Sequence, residues 1–172
     1  GRRLALTLSK DGNPDIYVLD LDTGRLTQIT RHWSIDTSPV WSPDGRFIYF
    51  MSERGGGAQI YRVPVTGGEA ERVTFAGRYN VDPAISPDGK YLAMIHRTES
   101  GDQVAVLDLA TQQLRVRRQG PLDSGPSFAP NGSMLIYSRG DHRLATVSIY
   151  GRVDLPLELT HGKARSPAWS PR

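Results

Sequence analysis

Ser38-Pro39-Val40-Trp41-Ser42-Pro43-Asp44-Gly45 decides how this chain folds, because the pattern does not occur only once. It returns as Asp82-Pro83-Ala84-Ile85-Ser86-Pro87-Asp88-Gly89, then as Gly125-Pro126-Ser127-Phe128-Ala129-Pro130-Asn131-Gly132. A partial copy, Ser166-Pro167-Ala168-Trp169-Ser170-Pro171, stands near the end. The leading prolines Pro39, Pro83, Pro126 and Pro167 lie 44, 43 and 41 residues apart. A period of about 40–45 residues is that of a four-stranded propeller blade, so the expected fold is an all-β propeller of antiparallel four-stranded blades.

Each period divides into strands. An apolar strand follows each Pro-Asp-Gly or Pro-Asn-Gly, at 47–52, 91–96 and 134–139, with 4–9 as its counterpart in the first period. The next strands are expected at 16–21, 60–65, 104–109 and 144–149, and the outermost at 26–30, 72–75, 114–118 and 155–160. No window carries a sustained helical period. In the turn, proline presets φ, Asp or Asn tolerates the bridging region and bonds its own backbone, and glycine supplies positive φ for re-entry. Small and large residues alternate in the strand before it, so the large ones, Trp41 and Trp169 among them, are expected in the core. Blades are expected at about 1–36, 37–80, 81–123 and 124–165, with 166–170 as a closing innermost strand. The first period opens at the second strand of a blade, so the chain reads as a fragment of about four blades.

Bulk properties agree with a globular chain of one domain. In 172 residues, 38% are apolar and 23% charged, which points neither to disorder nor to a membrane class. No run approaches the roughly 18–20 apolar residues of a membrane helix, so membrane insertion is not expected. Cysteine is absent, which removes disulfides, thiolate chemistry and Cys-ligated zinc. The net charge of +3 comes from 21 basic and 18 acidic residues that are scattered. The densest basic run is Arg115, Arg117 and Arg118, too short to form a phosphate-tracking stripe, so no nucleic-acid partner is expected.

Function is expected on the loops that join an outermost strand to the next innermost one, because a propeller gathers them at one mouth of its channel. These are 31–37, 76–82, 120–124 and 161–165. Asp36, Asp82 and Asp123 fall at similar offsets in them. They could present carboxylates to a partner, hold a calcium ion through oxygen ligands, or cap turns through Asx bonds. No enzyme is expected: there is no Gly-x-Ser-x-Gly elbow, no His-Glu-x-x-His pair and no phosphate-binding glycine loop. His32, His96, His142 and His161 are unpaired in sequence, although His32 and His161 lie in equivalent loops. Gly55-Gly56-Gly57 precedes a strand and reads as a hairpin turn, and the Asn131-Gly132-Ser133 sequon coincides with a turn.

The octapeptide and its following strand resemble the WD40-like repeats of the TolB family of the Tol-Pal system, and also those of tricorn and prolyl-oligopeptidase propellers. Three segments narrow the resemblance to the TolB family. They are 122–138, running from Leu122-Asp123-Ser124-Gly125-Pro126 to Tyr137-Ser138, the terminal Ser166 to Pro171, and Leu4 to Asp11-Gly12 with Ile16 to Leu21. The resemblance covers essentially the whole chain. It implies a six-bladed parent with a preceding α/β domain, residence in the Gram-negative periplasm, no cofactor, and a role in outer-membrane integrity and cell division. The implied partner is the peptidoglycan-associated lipoprotein Pal, with colicins using the same surface and TolA contacting only an N-terminal part absent here. Partner contact is implied for Thr37 and Ser38 and, further out, for Val81, Asp82 and Ser124. The alternative within the same repeat group is the gating propeller of a serine peptidase whose catalytic domain is absent.

Overall fold

Alternating apolar strands punctuated by Pro-Asp-Gly turns produce four up-and-down sheets. The computed structural model describes residues 1–10, 12–117, 122–140, 143–150, 154–157 and 162–169. Among these there are fifteen strands and no helix. β1 (Arg3–Leu8), β2 (Asp15–Asp20) and β3 (Leu26–Gln28) form a three-stranded sheet. β4 (Asp36–Trp41), β5 (Phe47–Ser52), β6 (Gln59–Pro64) and β7 (Glu71–Arg72) form the second, in chain order. β8 (Asn80–Ile85), β9 (Tyr91–Thr98), β10 (Gly101–Asp108) and β11 (Leu114–Val116) form the third. β12 (Ser124–Phe128), β13 (Met134–Ser138), β14 (Leu144–Ser148) and β15 (Asp154–Leu157) form the fourth. The chain divides into two compact units, residues 1–83 and 84–172.

The repeated turn is held by one serine. Ser42 Oγ donates to Asp44 Oδ1 at 2.6 Å and accepts from the Phe47 N–H at 2.9 Å, while Gly45 takes φ +68°. Ser86, Asp88, Tyr91 and Gly89 reproduce this with 2.6 Å, 2.9 Å and φ +72°. In the fourth sheet Ala129 has replaced the serine, and Ser133 takes over from the other side of the turn, its N–H and Oγ both donating to Asn131 Oδ1. The hydrogen bonds of Asp44 to Ser42 and of Asp88 to Ser86 hold both carboxyls below the usual carboxylate range.

In the first two sheets the outermost strands are shorter than the apolar pattern suggests because each ends in a bulge. The N–H groups of Ile29 and Thr30 both reach Ile16 O, at 2.8 and 3.3 Å. Those of Val73 and Thr74 both reach Ile60 O, at the same two distances. Conversely, β9 and β10 run past the expected 91–96 and 104–109, since a two-residue turn at Glu99 and Ser100 lets the ladder continue to the Thr98↔Gly101 pair.

In the first unit, Ile16, Val18 and Ile29 pack with Ile48, Phe50, Tyr61 and Val63 into one apolar cluster, with Trp41 packed partly buried against it. Each such side chain, removed from water, contributes about 1.5–3 kcal/mol. Trp41 also lies under the Arg3 guanidinium, 4.9 Å from its ring centroid. The second unit buries Leu92, Met94, Ile95, Val104, Leu135, Tyr137, Val147 and Ile149. Trp169 departs from the core expectation, being 39% exposed. It follows no ladder, and its N–H approaches Ser127 Oγ at 3.4 Å. Ser170, Pro171, Arg118, His142 and His161 lie outside the described residues.

Candidate functional site

The loops leading into the innermost strands are built on a polar clamp that repeats from sheet to sheet. The backbone N–H of Asp36 donates to Pro14 O at 2.9 Å, that of Asn80 to Ala58 O at 2.8 Å, and that of Asp123 to Asp102 O at 2.9 Å. Each bond ties the start of an innermost strand to a hairpin of the preceding sheet: Pro14 lies between β1 and β2, Ala58 between β5 and β6, and Asp102 at the start of β10. All three residues are buried. Asp36 Oδ2 accepts from Arg54 Nη2 at 2.7 Å, and Arg54 Nε donates to Ser52 Oγ at 2.9 Å. The Arg54 guanidinium lies 5.4 Å from the Phe50 ring centroid and 5.2 Å from that of Tyr61. Asn80 Nδ2 donates instead to Gln59 Oε1 and Ala76 O, both at 2.8 Å.

Asp36 and Asp123 therefore occupy one equivalent position, and its counterpart in the third sheet is Asn80 rather than Asp82. Asp82 stands two residues further along, half-buried. This separates the three carboxylates that the sequence placed at similar offsets. A fully buried Asp36 already carries a cation, the Arg54 guanidinium. No group of three or more His, Cys, Asp or Glu able to hold a metal ion gathers among the described residues.

Asp82 belongs to a second repeated feature. The residue before proline in every octapeptide copy is left-handed: Ser38 at φ +55°, Asp82 at +51°, Gly125 at +58° and Ser166 at +49°. For a residue other than glycine this costs about 1–3 kcal/mol, so the surrounding fold imposes it. The ladder skips there, between the Thr37 and Val40 pairs in β4 and between Ser124 and Ser127 in β12. The bulge turns the strand entry out of the regular ladder. Ser38 and Ser124 are exposed, and Thr37, Val81 and Asp82 are half-buried. The glycine at position 125 is the trace of this geometry visible in the sequence.

Exposed apolar side chains that strand patterning does not reveal stand in these loops and, at Phe75, just before the second of them. Trp33 is 82% exposed, Phe75 67% and Leu122 64%. Trp33 rests against the His32 ring, with centroids 5.2 Å apart, and His32 Nδ1 accepts from the Ser34 N–H at 3.0 Å. A tryptophan outside the alternating strands was the signal available for this feature. His161, in the loop equivalent to that of His32, falls outside the described residues.

Against this geometry the family profile for the TolB beta propeller domain matches residues 1–172. The chain belongs to the TolB β-propeller family. The Tol-Pal system protein TolB of Ruthia magnifica subsp. Calyptogena magnifica is 46% identical over 173 residues, covering 99% of this chain and 41% of that protein. TolB of Methylococcus capsulatus is 54% identical over 69 residues, covering 40% of this chain and 16% of that protein. The crystal structure of TolB from Acinetobacter baumannii superposes with a TM-score of 0.90 at 38% identity, covering all of this chain and 44% of that one. The chain thus spans less than half the length of these TolB relatives. Of the two groups that share its repeat, it falls in the TolB group.

Proposed function

We propose that this chain is a non-catalytic, protein-binding propeller segment of the Tol-Pal system, acting in the periplasm without a cofactor. Its partner is the peptidoglycan-associated lipoprotein Pal, through which it supports outer-membrane integrity and cell division, and colicins would exploit the same loops. In this reading the sheets are consecutive blades, at about 1–36, 37–80, 81–123 and 124–165, of a six-bladed parent, with 166–170 closing a ring. The observation that carries the proposal is the left-handed bend before each repeated proline. It is strained, it recurs, and it sets Thr37, Ser38, Val81, Asp82 and Ser124 at the loop-bearing ends of the innermost strands. Family membership supplies the system in which such a surface works. Asp36 and Asp123 act behind this surface, holding the loops from which the contacts are made.

Titrating a soluble Pal domain into the protein tests this. Thr37→Trp and Ser38→Trp are expected to weaken binding at least about tenfold, roughly 1.4 kcal/mol, with melting temperatures that show a folded protein. Unchanged affinity in both variants removes the site, and absence of binding to the unaltered protein removes the partner.

A further inference from the structure

A second site lies within residues 84–172, at the strand ends remote from the loop that leads into β12. Two turns, 86–90 and 129–133, come together there with Tyr91 and Tyr150. The two rings meet edge to face, 6.3 Å apart at 90°, and Tyr150 is 70% exposed. A buried scaffold does not require an aromatic ring held in this way over solvent.

The corner separates two cavities. On one side is a space of about 320 Å³, walled by the rings of Pro87, Pro130, Tyr91 and Tyr150. The polar groups beside it are already engaged: Asp88 Oδ1 accepts from Ser86 Oγ and the Lys90 N–H, and Asn131 Oδ1 accepts from the N–H and Oγ of Ser133. On the other side is a space of about 100 Å³ whose wall includes Arg115, Arg117, Gln113 and Asp108. Arg115 Nη2 donates to Gln113 Oε1 at 3.1 Å. Arg117 Nε is buried with no hydrogen-bond acceptor among the described residues. Among the described residues neither guanidinium is in an ion pair. Asp108, the carboxylate on this wall, accepts the N–H groups of Ala110 and Thr111 at Oδ1, and these bonds, with the Arg115 charge after them, hold it below the usual carboxylate range. Burial, and after it the charge of Arg115, lowers the pKa of Arg117, so an anion in this cavity would relieve a repulsion already present.

We infer that this corner binds an acidic, apolar peptide segment, with a carboxylate against Arg115 and Arg117 and a neighbouring proline or leucine side chain in the ring-lined cavity beside Tyr150. Arginine pairs match carboxylate geometry, and tyrosine supplies rigid apolar area with a polar tip. The larger cavity has proline walls and engaged polar groups, which suits an aliphatic side chain better than the hydroxyls of a sugar acid. This site is independent of the loop surface proposed for Pal.

The experiment is an amide-resolved NMR titration of the full chain with acetyl-Gly-Glu-Pro-Leu-Gly-amide, its Glu-to-Gln counterpart and galacturonate. The expected result is saturable shifts at Tyr91, Tyr150 and Arg117 with a Kd below about 1 mM. The Gln peptide should bind at least about fivefold more weakly, and Arg117→Gln and Tyr150→Ala should each reduce affinity for the Glu peptide by at least about fivefold. Equal binding of the Glu and Gln peptides, shifts confined to other residues, or no saturation would overturn the proposal. Tighter binding of galacturonate than of the peptide would overturn it in favour of a sugar acid. Because the peptide arms use the unaltered chain, a variant that fails to fold leaves the test intact.

Discussion

The junction from the first sheet into β4 and the junction from the second sheet into β8 solve one problem with different residues. In the first, Asn13 Nδ2 donates to His32 O at 2.6 Å and Ser34 O at 3.0 Å, and the strand-opening residue is Asp36 paired with Arg54. In the second, the place of Asn13 is taken by Gly57, and a Cβ built there would meet Arg78 O at 2.8 Å. The strand-opening residue is now Asn80, which itself donates to Ala76 O, the equivalent of His32 O. The loop carbonyls are satisfied from the turn in one junction and from the strand in the other. Where the strand residue is spared that task it is a carboxylate, and it then needs Arg54. The lesson is that these residues form a coupled set, so a single exchange between junctions should fail where a matched one succeeds.

Removing the charge partner should have the largest effect. Arg54→Ala leaves the fully buried Asp36 carboxylate uncompensated and should cost about 3–5 kcal/mol in urea unfolding. Making both members of the pair neutral, with Asp36→Asn and Arg54→Gln together, should cost clearly less than Arg54→Ala, since replacing both members of a buried pair is often close to neutral. Equal losses would break the comparison.

Next in size is the second junction. Asn80→Ala removes two hydrogen bonds at a buried position and should cost about 1–3 kcal/mol. Gly57→Ala should cost a similar amount, about 1–3 kcal/mol, because backbone rather than a flexible side chain stands in the way. If Gly57→Ala is neutral by thermal melting, the close approach to Arg78 O does not constrain this turn.

The smallest effect belongs to the turns. Asp44 and Asp88 have folded-state pKa values below their unfolded ones, so they contribute stability above the unfolded value and lose it as pH falls through the folded one. Ser42→Ala should raise the Asp44 pKa toward the ordinary carboxylate value in an NMR titration and flatten the acid side of the stability curve. The fourth sheet, with Asn131 in that place, has no carboxylate there to titrate.

Most of the strand layout was legible in the sequence because proline, Asp or Asn and glycine set the turns chemically, and β5 at 47–52 begins and ends where the pattern does. The outermost strands were overdrawn because the bulges at Ile29–Thr30 and Val73–Thr74 depend on which carbonyl two successive N–H groups choose, which apolar patterning does not encode. The loops were legible as a group, but their internal logic was not. Asp36 and Arg54 are 18 residues apart and meet only because the second sheet folds back on itself. Asp82 aligned with Asp36 by offset, while the clamp aligns Asn80 with it. The left-handed state of Ser38 and Asp82 could have been read from Gly125 in the same register. Trp33 was legible only as a tryptophan outside the alternating strands, and the exposure of Phe75, which falls in an expected strand, has no signal in that pattern.

Backbone hydrogen exchange with and without a soluble Pal domain tests most directly whether the loop ends, held by these clamps, are the working surface. The account predicts slowed exchange at 31–38, 76–82 and 122–125, with the turns at 42–46, 86–90 and 129–133 unchanged. Protection appearing at those turns while the loops exchange as before would contradict it.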